Sequence, residues 1–333
     1  MCYFAANYYG TNASMMITAS HNPKEYNGFK FSYNGINNAY GKEVKEIYDI
    51  ITSQSFATGK GTIENKDITK PYIHLITDKL SLGPRHIKVV YDCGNGTTSI
   101  IADKVFANLN VESIPLFNIS DGSFPNHHPD PCIYENLTKL KEKVLETKAD
   151  LGIGYDGDGD RVGFIDNQGN MIETDKFMII MWRYLYNKVE NKQCLYDVKC
   201  TKALEDELIK LKVSPYEYRT GNSYTRAKTN ELDCPLGGEL SGHVYFRDKF
   251  PGYDDGIYAG MRLIELLSHT DKPLSSLLDG ITKYYSTPEI KISTEDNKKF
   301  HIIEKVKEYC QSKGYNTLTI DGAKAKFKDG FAL

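Results

Sequence analysis

Asp156, Asp158 and Asp160 alternate with Gly157 and Gly159 and run directly into Arg161. Three carboxylates spaced this way can converge on one hard cation, because glycine lets the backbone turn tightly enough to gather them. Without a cation they would repel one another strongly. A calcium EF-hand loop would need Gly at its sixth position and Glu at its twelfth. Those places hold Arg161 and Asn167, which excludes it. Three oxygens leave room for water and a phosphate oxygen, a set that suits magnesium. Arg161 follows where its planar fork can meet a phosphate beside the metal.

A second group is Thr18-Ala19-Ser20-His21-Asn22-Pro23, with Asn27-Gly28-Phe29-Lys30 behind it. The apolar Met15-Met16-Ile17 delivers a turn of small residues that exposes a hydroxyl, and the amides of such a turn can hold an anion. An ordinary polar loop has the same composition. A serine hydrolase fits less well: Ser20 lacks the Gly-x-Ser-x-Gly elbow. His21, as the next residue, is poorly placed to reach that hydroxyl in line. The third group runs Gly237-Gly238-Glu239-Leu240-Ser241-Gly242-His243. Its alternation lets Glu239, Ser241 and His243 share one face of an extended segment. An acceptor, a hydroxyl and an imidazole suit the gripping of sugar hydroxyls. Three features are weaker. Asp92 to Gly96 reads as a structural strand-to-helix turn, because Ser99 stands where a dinucleotide motif needs its last glycine. Phe124 to Pro129 holds adjacent His127 and His128 with no second ligand cluster. Arg219 to Arg226 sets two arginines around Gly221, as an anion contact or a solvated loop.

The elements that must position these groups alternate along the chain. Apolar runs at 87–91 and 151–155 read as strands, while 98–107, 137–146, 203–211 and 256–267 have helical spacing. Such alternation predicts a multidomain α/β protein: successive α/β domains with mixed, mostly parallel sheets around a central cleft. At 333 residues the chain is too long for one ordinary core. Breaks are expected near Gly83-Pro84, near 187–191 and near Thr287-Pro288. They give units at 1–84 (Ser20 loop), 85–187 (acidic loop), 188–287 (Glu239 to His243) and 288–333. Both ends look cut, the first running at once into a motif loop and the last stopping inside a hairpin. A net charge of −3 with interspersed lysines gives no basic stripe for nucleic acid. Phe177 to Trp182 is too short an apolar run to span a bilayer. The seven cysteines form no CxxC pair, so reduced thiols, a cytoplasmic location and no zinc are expected.

Taken in this order, the motifs resemble the α-D-phosphohexomutase family, and the form Glu-Leu-Ser-Gly-His followed by Phe246-Arg247-Asp248 is most similar to its phosphomannomutase/phosphoglucomutase branch. The likeness covers nearly the whole chain and includes Asp92 to Gly96, Phe124 to Pro129 and Asp254-Asp255-Gly256. It implies a mutase that interconverts hexose 1-phosphate and hexose 6-phosphate through phosphorylated Ser20 and a bisphosphorylated sugar. Magnesium would be held by Asp156, Asp158, Asp160 and the Ser20 phosphate. Ser20, His21, Lys30, Arg161 and His243 would be catalytic, with Lys30 and His243 as acid/base candidates. Glu239, Ser241, His243, Arg219 and Arg226 would bind the phosphosugar. No nucleic acid or membrane partner is implied, and the chain would be a monomer or weak dimer. Two departures stand out. The family has four domains, the last with a phosphate-clamping loop, and here the chain ends at the strand before it. The family often has a His and a Lys where this sequence has Asn222 and Arg226, and Arg keeps the charge without the compact ammonium. A binding-only fragment of such an enzyme and a serine hydrolase are the rival expectations.

Overall fold

The computed structural model describes residues 1–33, 37–287 and 289–333. Four sheets follow one another along the chain. The first unit has helix α1 (Cys2–Tyr8), the antiparallel pair β1 (Ala13–Ile17) and β2 (Phe29–Tyr33), and helix α2 (Lys42–Ser53). The pairing of Ile17 with Phe29 fixes where the Ser20 turn begins and where Lys30 re-enters the sheet.

The second unit builds the acidic loop. Helix α3 (Thr69–Thr77) precedes it in the chain, and its own elements are β3 (Lys88–Asp92), α4 (Ala102–Phe106), β4 (Glu112–Leu116), α5 (Thr138–Thr147), β5 (Leu151–Tyr155), β6 (Val162–Asp166) and β7 (Met171–Ile172). Strand order is β4-β3-β5-β6-β7, parallel from β4 to β5 and antiparallel beyond. All five residues of β5 are buried, as suits a central strand covered on both faces. Its sequence Leu-Gly-Ile-Gly-Tyr divides those faces. A Cβ on Gly152 would stand 2.8 Å from Val144, so the bare face lets α5 lie close. Leu151, Ile153 and Tyr155 fill the main core opposite. The 98–107 stretch is not one helix. It forms a 3₁₀ turn at Thr97–Ile100 and then α4, with the polar Thr98 and Ser99 side by side and Ile100 exposed, so no continuous apolar stripe anchors the first turn.

Helix α6 (Thr174–Leu185) contains the run from Phe177 to Trp182, fully buried between units. Then come β8 (Gln193–Asp197), α7 (Lys202–Lys210), β9 (Ser214–Tyr218), α8 (Asn222–Glu231), β10 (Leu236–Gly238), β11 (Val244–Phe246) and α9 (Gly256–Ser268). The sheet order is β11-β10-β8-β9, with β8 parallel to both neighbours and β11 antiparallel at the edge. Every residue of α9 is buried, because it packs against β5 and β6 as well as β11 and α6. Its N-terminus is capped by Asp255, which accepts from the Tyr258 amide (2.9 Å) and from the Tyr72 hydroxyl (2.6 Å). That cap joins α3 to α9 beside the acidic loop, where the Gly256 amide donates to the Gly159 carbonyl (3.0 Å). The last unit has α10 (Asp296–Ser312) and the antiparallel strands β12 (Asn316–Leu318), β13 (Lys324–Phe327) and β14 (Gly330–Ala332). Buried Lys324 docks it by donating to the Val198 carbonyl (2.7 Å) and to Glu217 (2.5 Å). The break expected at Thr287-Pro288 falls partly outside the described residues, at Pro288. Among the described residues no helix is long and apolar enough to cross a membrane.

Candidate active site

The acidic loop leaves the buried strand β5 and returns as β6, so its carboxylates sit at the C-terminal end of a rigid central strand. Asp156 Oδ1 accepts from the Gly159 amide (2.9 Å) and the Arg161 amide (3.1 Å), which fixes the other oxygen outward. That Oδ2 lies 3.4 Å from the Ser20 hydroxyl. Gly157 makes the approach possible: a Cβ there would stand 2.3 Å from the Ser20 carbonyl oxygen. Ser20 itself has φ +56°, a left-handed conformation that is costly for a non-glycine residue and recurs at functional sites. The same bend brings His21 back, with Nδ1 3.2 Å from the Ser20 oxygen. This corrects the expectation that a sequence neighbour is poorly placed to reach the hydroxyl. Among the described residues no carboxylate hydrogen-bonds His21, so the acid–base–serine chain of a hydrolase is not assembled. Burial, with Arg161 nearby, holds the His21 pKa below the ordinary range.

Lys30 projects from β2 onto the acidic loop and donates to Asp158 (2.9 Å) and Asp160 (2.5 Å). Burial opposes its charge, but these two carboxylates outweigh it and push its pKa up, so the group is an ammonium. Thr18 adds a hydroxyl bond to Asp158 (2.8 Å), a contact that the sequence motif does not announce. Burial, then the charges of Asp158 and Asp160, drive the Asp156 pKa well upward.

The Glu239 to His243 loop joins β10 to β11 and zips onto the acidic loop, where the Val162 amide donates to the Gly242 carbonyl (3.1 Å). His243 Nδ1 meets Asp254 (2.7 Å), while Arg161 Nε donates to His243 Nε2 (3.0 Å). A nitrogen that accepts from arginine carries no proton. The ring therefore stands neutral with its hydrogen on Nδ1, although Asp160 and Asp254 push its pKa up against burial. Glu239 is buried, accepting from the Gly221 amide (3.3 Å) and the Tyr245 hydroxyl (3.3 Å), and Ser241 donates to it (3.3 Å). Burial raises its pKa. Asp197, at the end of β8, binds the Leu240 amide (3.1 Å) and the Thr220 hydroxyl (3.0 Å) and so anchors this loop. Nothing in the local sequence around Asp197 marks it. Arg219 stacks on Tyr224 at 4.0 Å beside the loop. Arg226, expected at the phosphosugar, is wholly buried and paired with Asp254 (2.7 Å).

Ser20, His21, Lys30, Asp156, Asp158, Asp160, Arg161 and His243 thus converge. The residues fit a cation. One oxygen each of Asp156, Asp158 and Asp160 lies within 4.8 Å of the others, and Asp158 Oδ1 and Asp160 Oδ1 are buried without a hydrogen-bond partner among the described residues. Such orphaned oxygens are costly unless something positive meets them. A serine, a cation cradle and a polar loop of Glu239, Ser241 and His243 meeting at the strand ends are the marks of a metal-dependent α/β phosphotransfer protein.

Comparison with known proteins makes the class specific. Residues 1–58, 70–169 and 173–285 match phosphoglucomutase/phosphomannomutase alpha/beta/alpha domains I, II and III in turn. The chain is 38% identical over 331 residues to a phosphomannomutase/phosphoglucomutase of Pseudomonas syringae pv. tomato, covering 99% of this chain and 71% of that one. It is 36% identical to a phosphoglucomutase of Neisseria gonorrhoeae, covering 100% of this chain and 73% of the relative. A crystal structure of a phosphoglucomutase/phosphomannomutase family protein from Burkholderia thailandensis superposes with TM-score 0.88 at 37% identity, over 96% of this chain and 68% of that one. The chain belongs to the phosphoglucomutase/phosphomannomutase family.

Proposed function

We propose that this chain interconverts hexose 1-phosphate and hexose 6-phosphate, with glucose or mannose as the sugar, by way of phosphorylated Ser20. The observation that carries the reading is the meeting of the Ser20 hydroxyl with Asp156 at 3.4 Å, on an acidic loop that Lys30 also reaches and whose Arg161 meets His243. Magnesium held by Asp156, Asp158, Asp160 and the Ser20 phosphate would neutralise charge on the transferring group. Phosphoryl transfer asks mainly for such neutralisation and for in-line positioning.

The side chains divide the remaining work. In the forward half, the Ser20 O–P bond breaks as a sugar hydroxyl oxygen bonds to phosphorus. His243 Nε2 takes the hydroxyl proton, once Arg161 turns its fork from the ring to the phosphate. Lys30, already an ammonium, donates to the departing Ser20 oxygen and acts as the acid rather than the base. His21 orients that oxygen from the other side. Glu239 and Ser241 accept and donate to ring hydroxyls in either orientation of the sugar, with Arg219 at the rim. Release and return of the bisphosphorylated sugar in the opposite sense then restores the Ser20 phosphate. We read the four units 1–84, 85–187, 188–287 and 288–333 as the walls of this cleft, and place the protein in the cytoplasm as a monomer or weak dimer.

The test is conversion of glucose 1-phosphate and mannose 1-phosphate to their 6-phosphates, primed with the 1,6-bisphosphate and magnesium. Turnover of either sugar with phosphate on Ser20 by peptide mass spectrometry is expected. No turnover of either sugar and no phosphate at Ser20 would remove the reading; the same assay separates glucose from mannose.

A further inference from the structure

Arg226, on α8, lies at the centre of a buried polar chain that joins two units. Its Nη2 pairs with Asp254 Oδ1 at 2.7 Å, with both side chains fully buried. Its Nη1 donates to Asn38 Oδ1 at 3.1 Å, and its guanidinium lies 3.8 Å from the Tyr3 ring centre. Asp254 uses its other oxygen on His243 Nδ1 (2.7 Å) and on the Asn222 amide. On the far side, Asn38 binds Tyr3 (3.3 Å), Asn222 (3.2 Å) and Ser32 (2.9 Å). Ser32 lies two residues after Lys30 on β2, so the two share a face of that strand. A continuous path therefore runs from the strand of Lys30 through Asn38, Arg226 and Asp254 to His243.

We propose that Arg226 is a positioning residue of this site: through Asp254 it fixes His243 with its proton on Nδ1, and through Asn38 it holds the Lys30 strand against the unit that carries His243. The shape of arginine matters. A rigid planar fork serves Asp254 and Asn38 at once while its face covers Tyr3. A lysine ammonium is a point charge on a flexible stem and cannot span the three in one geometry. A lysine there keeps the charge but cannot hold Asp254 and Asn38 together, so the grip of Asp254 on the imidazole loosens. His243 can then turn or move its proton to Nε2, the nitrogen that faces Arg161.

The proposal rests on the mutase reading for its turnover arm but not for its spectroscopic arm. Arg226→Lys and the near-isosteric Asp254→Asn are compared with the wild-type chain at one fixed pH. Nitrogen shifts of labelled histidine report which ring nitrogen of His243 is protonated. Wild type is expected to show Nδ1–H, and both variants a mixture or Nε2–H. Arg226→Lys is expected to lower kcat roughly 10²-fold, as for a small misplacement of a reacting group, and to change KM by less than about threefold. Asp254→Asn is expected to cost more, up to about 10⁴-fold, as where an orienting aspartate becomes an amide. If Arg226→Lys does not fold, Asp254→Asn carries both readouts. A folded variant that keeps Nδ1–H and wild-type kcat overturns the proposal. A wild type that converts no hexose phosphate removes the mutase reading instead, and the nitrogen shifts still decide the positioning claim.

Discussion

His243, beside the acidic loop, and His127, beside the end of β3, each face a buried aspartate, and the two pairs end in different electrical states. His243 gives Nδ1–H to Asp254, but Asp254 is already matched by Arg226, and Nε2 accepts from Arg161. The ring is neutral, with a basic nitrogen aimed at the site. His127 faces acceptors on both sides, Asp92 at Nε2 (3.0 Å) and the His128 carbonyl at Nδ1 (2.9 Å). Two acceptors require two ring hydrogens, so this histidine is an imidazolium. Asp92 has no other cationic partner among the described residues, so the ring must supply the charge. The partner of the second nitrogen, and whether the aspartate is already neutralised, decide which histidine is available for chemistry and which is a strut.

The sharpest way to break that contrast is to remove each ring. His243→Gln is expected to lower kcat on the order of 10²–10⁴-fold, the usual worth of a positioned proton carrier. His127→Gln is expected to act mainly on thermal stability. Steady-state kinetics beside melting curves decides it; equal losses of kcat in both would abolish the distinction. Next in size is Asp158→Ala. It removes a cradle oxygen, one of the two carboxylates that hold Lys30, and the acceptor of the Thr18 hydroxyl. Turnover should fall about 10²–10³-fold, as when a preorganised charge-stabilising group is lost, and magnesium should no longer raise the melting midpoint. Retained magnesium stabilisation would show that the three carboxylates are not the cation cradle.

The sequence made the acidic loop and its strand readable because both are local. An apolar run that stops at an alternating Asp/Gly turn needs no tertiary information, and β5 occupies the expected residues. The hairpin at the end and helix α9 were readable for the same reason. What stayed hidden depends on contacts across long separations. Arg226 looked like a substrate contact because a basic residue beside a Gly turn has no local sign of burial. Its partner Asn38 is 188 residues away. The adjacent histidines at 127 and 128 carried no signal of their different roles, since Asp92 meets only His127 and does so across 35 positions. His21 was underestimated for a conformational reason, the positive φ of Ser20, which no residue type in the loop predicts.

A smaller effect tests whether the serine side depends on backbone proximity as the His243 side depends on side-chain bonds. Gly157→Ala places a methyl 2.3 Å from the Ser20 carbonyl oxygen, and because the clash is with backbone the whole serine turn must retreat. A retreat of about 1 Å should lower kcat roughly 10²-fold, with magnesium binding by calorimetry retained. The extent of Ser20 phosphorylation by the 1,6-bisphosphate, read by intact mass, should fall in step. Wild-type phosphorylation in this variant would mean that the turn has freedom the contact does not suggest.

The smallest effect is on stability, and its sign follows from His127. Burial opposes the charge on this ring, but Asp92 and then the His128 carbonyl outweigh it, so the folded pKa lies above the ordinary 6.5. A group whose pKa rises on folding contributes stability that is complete below the unfolded pKa and is lost as pH climbs through the folded value. The stabilising difference between wild type and His127→Gln should therefore be largest near pH 6, at about 1–3 kcal/mol for a charged hydrogen-bonded pair. It should shrink steadily toward pH 9. Subtracting the variant removes the contributions of titrating groups remote from the substitution, so the curve reports the His127–Asp92 pair. Asp160 and Asp254 raise the His243 pKa against burial too, but that residue is present in both chains, so its contribution is shared and drops out of the difference. A difference that stays flat or grows with pH would mean that His127 is neutral as well, and that the two pairs are alike after all.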